Sequence, residues 1–149
     1  MNRIKSMFVM LAVATFAVAC GKEEPVVEYL DVTPNNLAGE WKLVEWKGGP
    51  LDEGTYFYID IVRKGRKFTS YQNFDSMADM PHVVTGTYNI EMDVEDGAII
   101  RGMYDYDEGF WSHSYKVDDL TKDSMTWTAE DDPTFIQKFV RTSIPSELK

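Results

Sequence analysis

The chain has 149 residues, with 25 Asp and Glu against 15 Lys and Arg, a formal net charge of −10 and one cysteine. That balance argues against nucleic-acid binding, which needs a basic footprint for phosphates, and against docking on anionic lipid by charge alone. A lone cysteine excludes an internal disulfide, so stability has to come from a packed core, which a single domain of roughly 110 residues can supply.

Met1 to Ser6 carries Arg3 and Lys5 and no acid, and the 13 residues 7–19 are uncharged and largely apolar. That stretch is too short to span a hydrocarbon core, which needs about 20 residues. A basic start, a short apolar stretch and small residues before a cut make a secretory signal, so residues 1–19 read as a signal peptide. The cut falls in Ala17-Val18-Ala19-Cys20, which resembles the lipobox of bacterial lipoproteins. The resemblance implies that Cys20 carries a diacylglycerol, with palmitate-type acyl chains, and becomes the mature N-terminus. Two acyl chains suffice for stable anchoring. Without Arg3 and Lys5 the mature chain has 13 basic residues against 25 acidic, a net charge of −12. Gly21-Lys22-Glu23-Glu24-Pro25 resembles the surface-export signal of Bacteroidetes lipoproteins. It implies an outer-membrane protein exposed at the cell surface; the alternative is a merely solvated spacer. Residues 20–36 therefore read as a lipidated cysteine and a flexible tether, and residues 37–149 as the folded domain. The stretch 21–34, with Pro25 and Pro34 and no helical periodicity, would reach roughly 45 Å if fully extended.

From residue 40 onward, runs of β-branched and aromatic residues alternate with Gly, Asp, Asn and Pro. The spacing predicts eight strands: 40–46, 55–62, 67–72, 83–90, 98–104, 110–117, 124–129 and 134–141. In the sixth run Trp111, His113, Tyr115 and Val117 share one face, opposite Ser112, Ser114 and Lys116. In the seventh, Met125 and Trp127 oppose Ser124, Thr126 and Thr128. Period two with a polar outer face marks half-buried antiparallel strands. Arg63-Lys64-Gly65-Arg66 and Glu95-Asp96-Gly97 read as hairpin turns. The pattern predicts an all-β fold, an eight-stranded antiparallel up-and-down barrel, with a sandwich as the alternative.

Leu37-Ala38-Gly39-Glu40-Trp41 resembles the Gly-x-Trp motif that opens the first strand of lipocalins and related calycins. The resemblance implies that Trp41 plugs the closed end and that Arg141, in Phe139-Val140-Arg141, packs across it. The span from Gly39 to Arg141 is similar to the small lipocalin-like lipoproteins of Bacteroidetes.

An eight-stranded barrel holds either its own side chains or one small ligand. The expected inward residues are Phe57, Ile59, Tyr88, Trp111, Tyr115, Trp127 and Phe139, with His113 as a candidate to orient a ligand. Either they line a pocket, or they fill the barrel. If the first strand starts at the closed end, the loops 47–54, 73–82, 105–109 and 130–133 surround the mouth. They carry ten acids, Asp52, Glu53, Asp75, Asp79, Asp105, Asp107, Glu108, Glu130, Asp131 and Asp132, against Lys47 alone. Such a mouth repels anions, which favours a neutral or cationic ligand. Met77-Ala78-Asp79-Met80-Pro81 suits a lid or a partner contact, because methionines adapt to either.

The acidic turns lack the spacing of a calcium loop, and His82 and His113 stand apart with no cysteine nearby; no metal and no cofactor is expected. There is no nucleophile elbow, zinc-protease motif or phosphate loop, and the paired carboxylates lie in turns, where desolvation cannot raise a pKa usefully. The expectation is a non-enzymatic, lipid-anchored envelope protein. Its barrel either binds a small apolar or amphipathic ligand or, when filled, serves as an interaction or accessory module for a protein partner that the residues do not name.

Overall fold

The period-two runs are realised as one closed sheet. The computed structural model describes Gly21 and residues 23–149; the expected signal peptide and Cys20 lie outside the described residues. The strands are β1 (Gly39–Trp46), β2 (Gly49–Pro50), β3 (Phe57–Val62), β4 (Lys67–Gln72), β5 (Val83–Asp93), β6 (Gly97–Tyr104), β7 (Tyr115–Asp118), β8 (Ser124–Ala129) and β9 (Asp132–Arg141). The two-residue β2 folds back on the end of β1 through the turn Lys47-Gly48. The other eight strands pair antiparallel in chain order, and β9 pairs with β1. That last pairing, from Trp41↔Arg141 to Trp46↔Gln137, leaves no free edge of the kind a sandwich keeps. The fold is an eight-stranded, lipocalin-like up-and-down barrel.

The closed end is built where β1 begins and β9 ends. Thr33 caps the short helix α1 (Pro34–Leu37) by accepting from Asn36 N–H, and Pro34 fills its first turn, both standard signals for a helix start. α1 seats Leu37 and Trp41, both fully buried, and Trp41 Nε1 donates to Leu37 O at 2.9 Å. The Arg141 guanidinium lies 4.0 Å over the Trp41 ring. It donates to Ala38 O at 2.7 Å, Asn36 O at 3.1 Å and Lys122 O at 2.7 Å. Gly39 adopts φ of +132°, and a Cβ there would overlap that guanidinium. The motif residues thus have mechanical roles at this end: the glycine makes room, the indole plugs the barrel and the arginine ties three chain segments together.

Three local departures from simple alternation matter for the site. A register shift between Leu43 and Glu45 is a β-bulge, and a bulge moves every later side chain to the other face. It turns Trp46, not Glu45, inward. The predicted strand 110–117 is a strand only from Tyr115 to Asp118. Its first part instead hydrogen-bonds to the end of β6 through Trp111 N–H to Gly102 O at 2.9 Å and an isolated bridge, Met103↔Phe110. The cause is volume: Trp111 lies across Gly102, whose missing Cβ would fall inside the indole. Finally, the segment read as a tether to residue 36 is packed from Leu30 onward. Leu30 N–H donates to Leu120 O at 2.8 Å, and Leu30 and Val32 lie against the core; only the part before them, with exposed Val26, Val27 and Tyr29, stands clear of the barrel.

The core fills the closed half of the barrel around Trp41, Leu43, Ile61, Ile100, Val117 and Met125. The β5–β6 hairpin runs past it to Asp93 and Gly97, where Asp93 Oδ1 accepts from Glu95 and Asp96 N–H. Those two bonds hold the Asp93 carboxyl below the usual carboxylate range.

Candidate functional site

The open half of the barrel is not filled. A cavity of about 330 Å³ enters from the mouth and ends on a floor of Leu43, Ile59 and Phe139. Its walls come from alternating, inward positions along six strands: Phe57 from β3, Phe68, Ser70 and Gln72 from β4, Tyr104 from β6, Tyr115 from β7, Trp127 from β8, and Phe135 and Gln137 from β9. The rings pack edge to face and stacked, as aromatic groups prefer. Trp111 stacks on Trp127 at 5.8 Å and meets Phe68 at 5.1 Å, and Trp127 meets Phe139 at 4.7 Å.

Of the residues expected inside, Phe57, Ile59, Trp111, His113, Tyr115, Trp127 and Phe139 line this cavity. Tyr88 does not. It is buried in the core, its hydroxyl directed at Val62 O at 3.4 Å, and burial pushes that hydroxyl above the ordinary tyrosine value. The β5 register places it below the cavity floor, toward the closed end. His113 sits at the mouth. Its Nδ1 is 2.7 Å from Asp131 Oδ1 and its ring is 4.9 Å from Phe135. Trp41 and Arg141 lie at the closed end, away from the cavity.

Several lining residues were not legible as such. Trp46 depends on the β1 bulge. Gln72 and Ser70 are polar at inward positions, so the strand Phe68-Thr69-Ser70-Tyr71-Gln72 shows no clean apolar phase; a polar residue in step with Phe68 was the available signal. Gln137 carried the same signal, between Phe135 and Phe139 in β9.

Loop 73–82 is tied down from inside the barrel. The Gln72 side chain is almost wholly buried. Its Oε1 accepts from Phe74 N–H at 2.8 Å, and its Nε2 donates to Pro81 O at 3.2 Å and, more weakly, to Met77 O at 3.4 Å. The backbone adds Gln72 N–H to His82 O at 2.9 Å. Loop 73–82 is thereby folded over the mouth, and Met77 and Met80 reach the cavity.

The loops at this end are the four expected around the mouth, but the acids form a rim and not a wall. None of the ten lines the cavity; Lys47 does, with Nζ 5.4 Å over the Phe135 ring. Asp52 and Asp75 line an adjoining depression beside Trp46 and Phe74. Others hold the loops: Asp105 accepts from Thr85 Oγ1, Asp107 from Gly109 N–H and Asp132 from Thr134. The Thr134 hydroxyl and N–H keep the Asp132 carboxyl below its ordinary value. Burial pushes the Tyr104 hydroxyl up to about 12, helped by Tyr106 and Asp107, and pushes Tyr115 higher still. Both phenols are therefore neutral hydrogen-bonding groups at any physiological pH. Among the described residues, no cluster of three His, Cys, Asp or Glu is placed to hold a metal ion.

No family profile and no curated protein matches this chain.

Proposed function

We propose that this protein is a lipid-anchored, non-catalytic lipoprotein of a Gram-negative envelope, whose barrel binds one small, neutral or cationic, apolar or amphipathic molecule. The observation that carries the reading is the cavity itself: about 330 Å³, walled by aromatic rings and open at the acid-rimmed end. That volume stands at the small end of the range for ligand pockets, roughly 300–1,000 Å³. The alternative of a filled barrel acting as an interaction module needs an interior packed without a break to the mouth, and the cavity interrupts that packing in the open half. The rim supports the charge preference, since the four loops around the mouth carry ten acids against Lys47 alone, although Glu130 is paired with Arg101. Titration of tryptophan emission tests this, because Trp46, Trp111 and Trp127 line the cavity. Neutral and cationic fractions of a membrane extract should change the emission and anionic fractions should not. Tight, salt-insensitive fatty-acid binding would sink the charge preference.

The anchor follows from Cys20 and the lipobox resemblance. Leu30 docks beside Leu120, at the same end as Trp41 and Arg141. The acyl chains on Cys20 would then hold the closed end toward the outer membrane, and the mouth would face away at a distance set by residues 20–29, at most roughly 35 Å. Metabolic labelling with an acyl-chain analogue should mark the protein, and Cys20→Ser should abolish the label and release the chain from the membrane fraction. Protease shaving of intact cells reads surface exposure directly.

A further inference from the structure

The cavity wall is aromatic, yet four of its side chains are polar and more than nine-tenths buried: Gln72 at 2 %, Ser70 at 5 %, Tyr115 at 8 % and Gln137 at 5 % exposure. Tyr115 and Gln137 stand side by side, near enough to interact through their polar ends. Even so, a carboxamide has two donors and an acceptor with two lone pairs, so one neighbour cannot satisfy it. Neither residue has a further protein partner among the described residues, and the Ser70 hydroxyl has none. Among the described residues, no unpartnered side-chain polar atom is sealed away from solvent-sized space, so these groups address the cavity. Gln72 provides the contrast: it is equally buried, but it uses its amide on the lid loop. Buried polar groups need partners, and for the other three the partner is whatever occupies the barrel.

Their placement is directional. Around the barrel β4 stands opposite β8, and β7 and β9 flank β8. Ser70 therefore faces Tyr115 and Gln137 across the cavity, with Trp127, Phe139, Phe57 and Phe68 between them. Aliphatic wall is limited to Leu43 and Ile59, with Met77 and Met80 at the lid. Flat rings pack best on such walls. At about 30 Å³ per molecule the volume equals that of roughly eleven waters, which suits one or two fused rings and is short for a long acyl chain.

We propose that the cavity takes a neutral one- or two-ring heteroaromatic molecule with an amide-type N–H/C=O edge, which Gln137 and Tyr115 pair with on one wall while Ser70 contacts the far side. This rests on the reading of the barrel as a binding module. The carboxamide of Gln137 can donate to the ligand carbonyl and accept from its N–H at once, a match that neither a hydrocarbon nor a fatty acid offers.

The test uses the lipidated protein in nanodiscs, with empty nanodiscs subtracted, and three probes: 2-quinolone, quinoline and dodecanoate. 2-Quinolone carries the N–H/C=O edge, whereas quinoline has nearly the same shape without it. Calorimetry should show 2-quinolone bound about tenfold tighter than quinoline, the worth of one well-made hydrogen bond. Gln137→Leu should erase that preference and leave quinoline within twofold, while Ser70→Ala and Tyr115→Phe should each reduce it in part. Thermal unfolding checks that Gln137→Leu folds; Tyr115→Phe, which removes one oxygen atom, carries the test if it does not. Equal binding of the two ring probes, or a preference that survives the substitutions, overturns this inference and leaves the binding module standing. Dodecanoate bound best overturns it too. If none of the three probes binds a folded barrel, the binding reading falls with it.

Discussion

Replacing Arg141 with alanine removes the tie across the closed end. The side chain donates to three backbone carbonyls at 2.7, 2.7 and 3.1 Å and caps the fully buried Trp41 indole at 4.0 Å. Hydrogen bonds from a charged group are worth about 1.5–3 kcal/mol each, and the cation over the ring about 0.5–2 kcal/mol. These do not add, because bringing the guanidinium partly out of water opposes them; burial pulls its pKa down. We expect a net loss of about 3 kcal/mol, the size typical of breaking a partly buried network. For a domain of this length that lowers the unfolding midpoint by about 10 °C. Urea unfolding followed by tryptophan emission measures it. Arg141→Lys should recover about half of the loss, since one ammonium keeps the charge over Trp41 but cannot fork to three carbonyls. Ligand affinity should be unchanged in both variants, because neither Arg141 nor Trp41 lines the cavity. A loss below about 0.5 kcal/mol, the scatter of ordinary surface substitutions, would refute the view that Arg141 secures the closed end.

Gly102→Ala should be destabilising by about 2 kcal/mol, the scale of overpacking in a core, because its Cβ would enter the Trp111 indole; the red-shifted emission of a displaced Trp111 reports it. Gln72→Leu frees the lid loop and leaves Phe74 N–H and Pro81 O without their partner, at about 1–3 kcal/mol. Amide exchange should accelerate across residues 73–82 and stay slow in β8. The pair Glu40 and Asp60, opposite each other in β1 and β3, should respond to pH with opposite signs. Glu40 is held below its ordinary value by the Lys149 ammonium and by Ile144 N–H, so its contribution is present above about pH 5 and is lost as pH falls through its folded pKa. Asp60 is pushed up by burial and then by Glu40, against a smaller pull from Lys149, so its ionised form weakens the fold at neutral pH and protonation relieves this. Glu40→Gln should therefore lower the midpoint temperature at pH 7 and Asp60→Asn should raise it, and both differences should shrink by about pH 3. Differences that persist unchanged at low pH would contradict this.

The strands were legible because a half-buried strand writes its face into every second residue; β4 and β8 match the predicted runs residue for residue. The closed end was legible through the resemblance of Gly39-x-Trp41 and Arg141 to the calycin motif, and the contacts of the three residues match what it implies. What alternation could not convey is where its phase breaks. Nothing in Trp41-Lys42-Leu43-Val44-Glu45-Trp46 marks the bulge that sends Trp46 inward, since Val44 fits either face. The start of the sixth run was obscured for a different reason: Phe110 to Ser114 alternates well, but Trp111 needs the space above Gly102, a residue nine positions earlier that only the barrel brings beneath it. The docking of Leu30 was hidden because Val26, Val27, Tyr29, Leu30 and Val32 are all apolar or aromatic, yet only Leu30 and Val32 pack on the core, and no period in that run separates them from the exposed ones. The cavity itself depends on volume, and alternation states direction without size.

Native mass spectrometry of the protein extracted from its own membrane is the most direct test of the central claim. The barrel should carry one non-covalent small molecule with roughly a dozen non-hydrogen atoms, in keeping with its volume. A cavity-filling Ser70→Leu variant that remains folded should carry none. Wild-type protein that flies without an adduct under conditions that preserve known complexes, and whose tryptophan emission ignores every fraction of the membrane extract, would contradict the account.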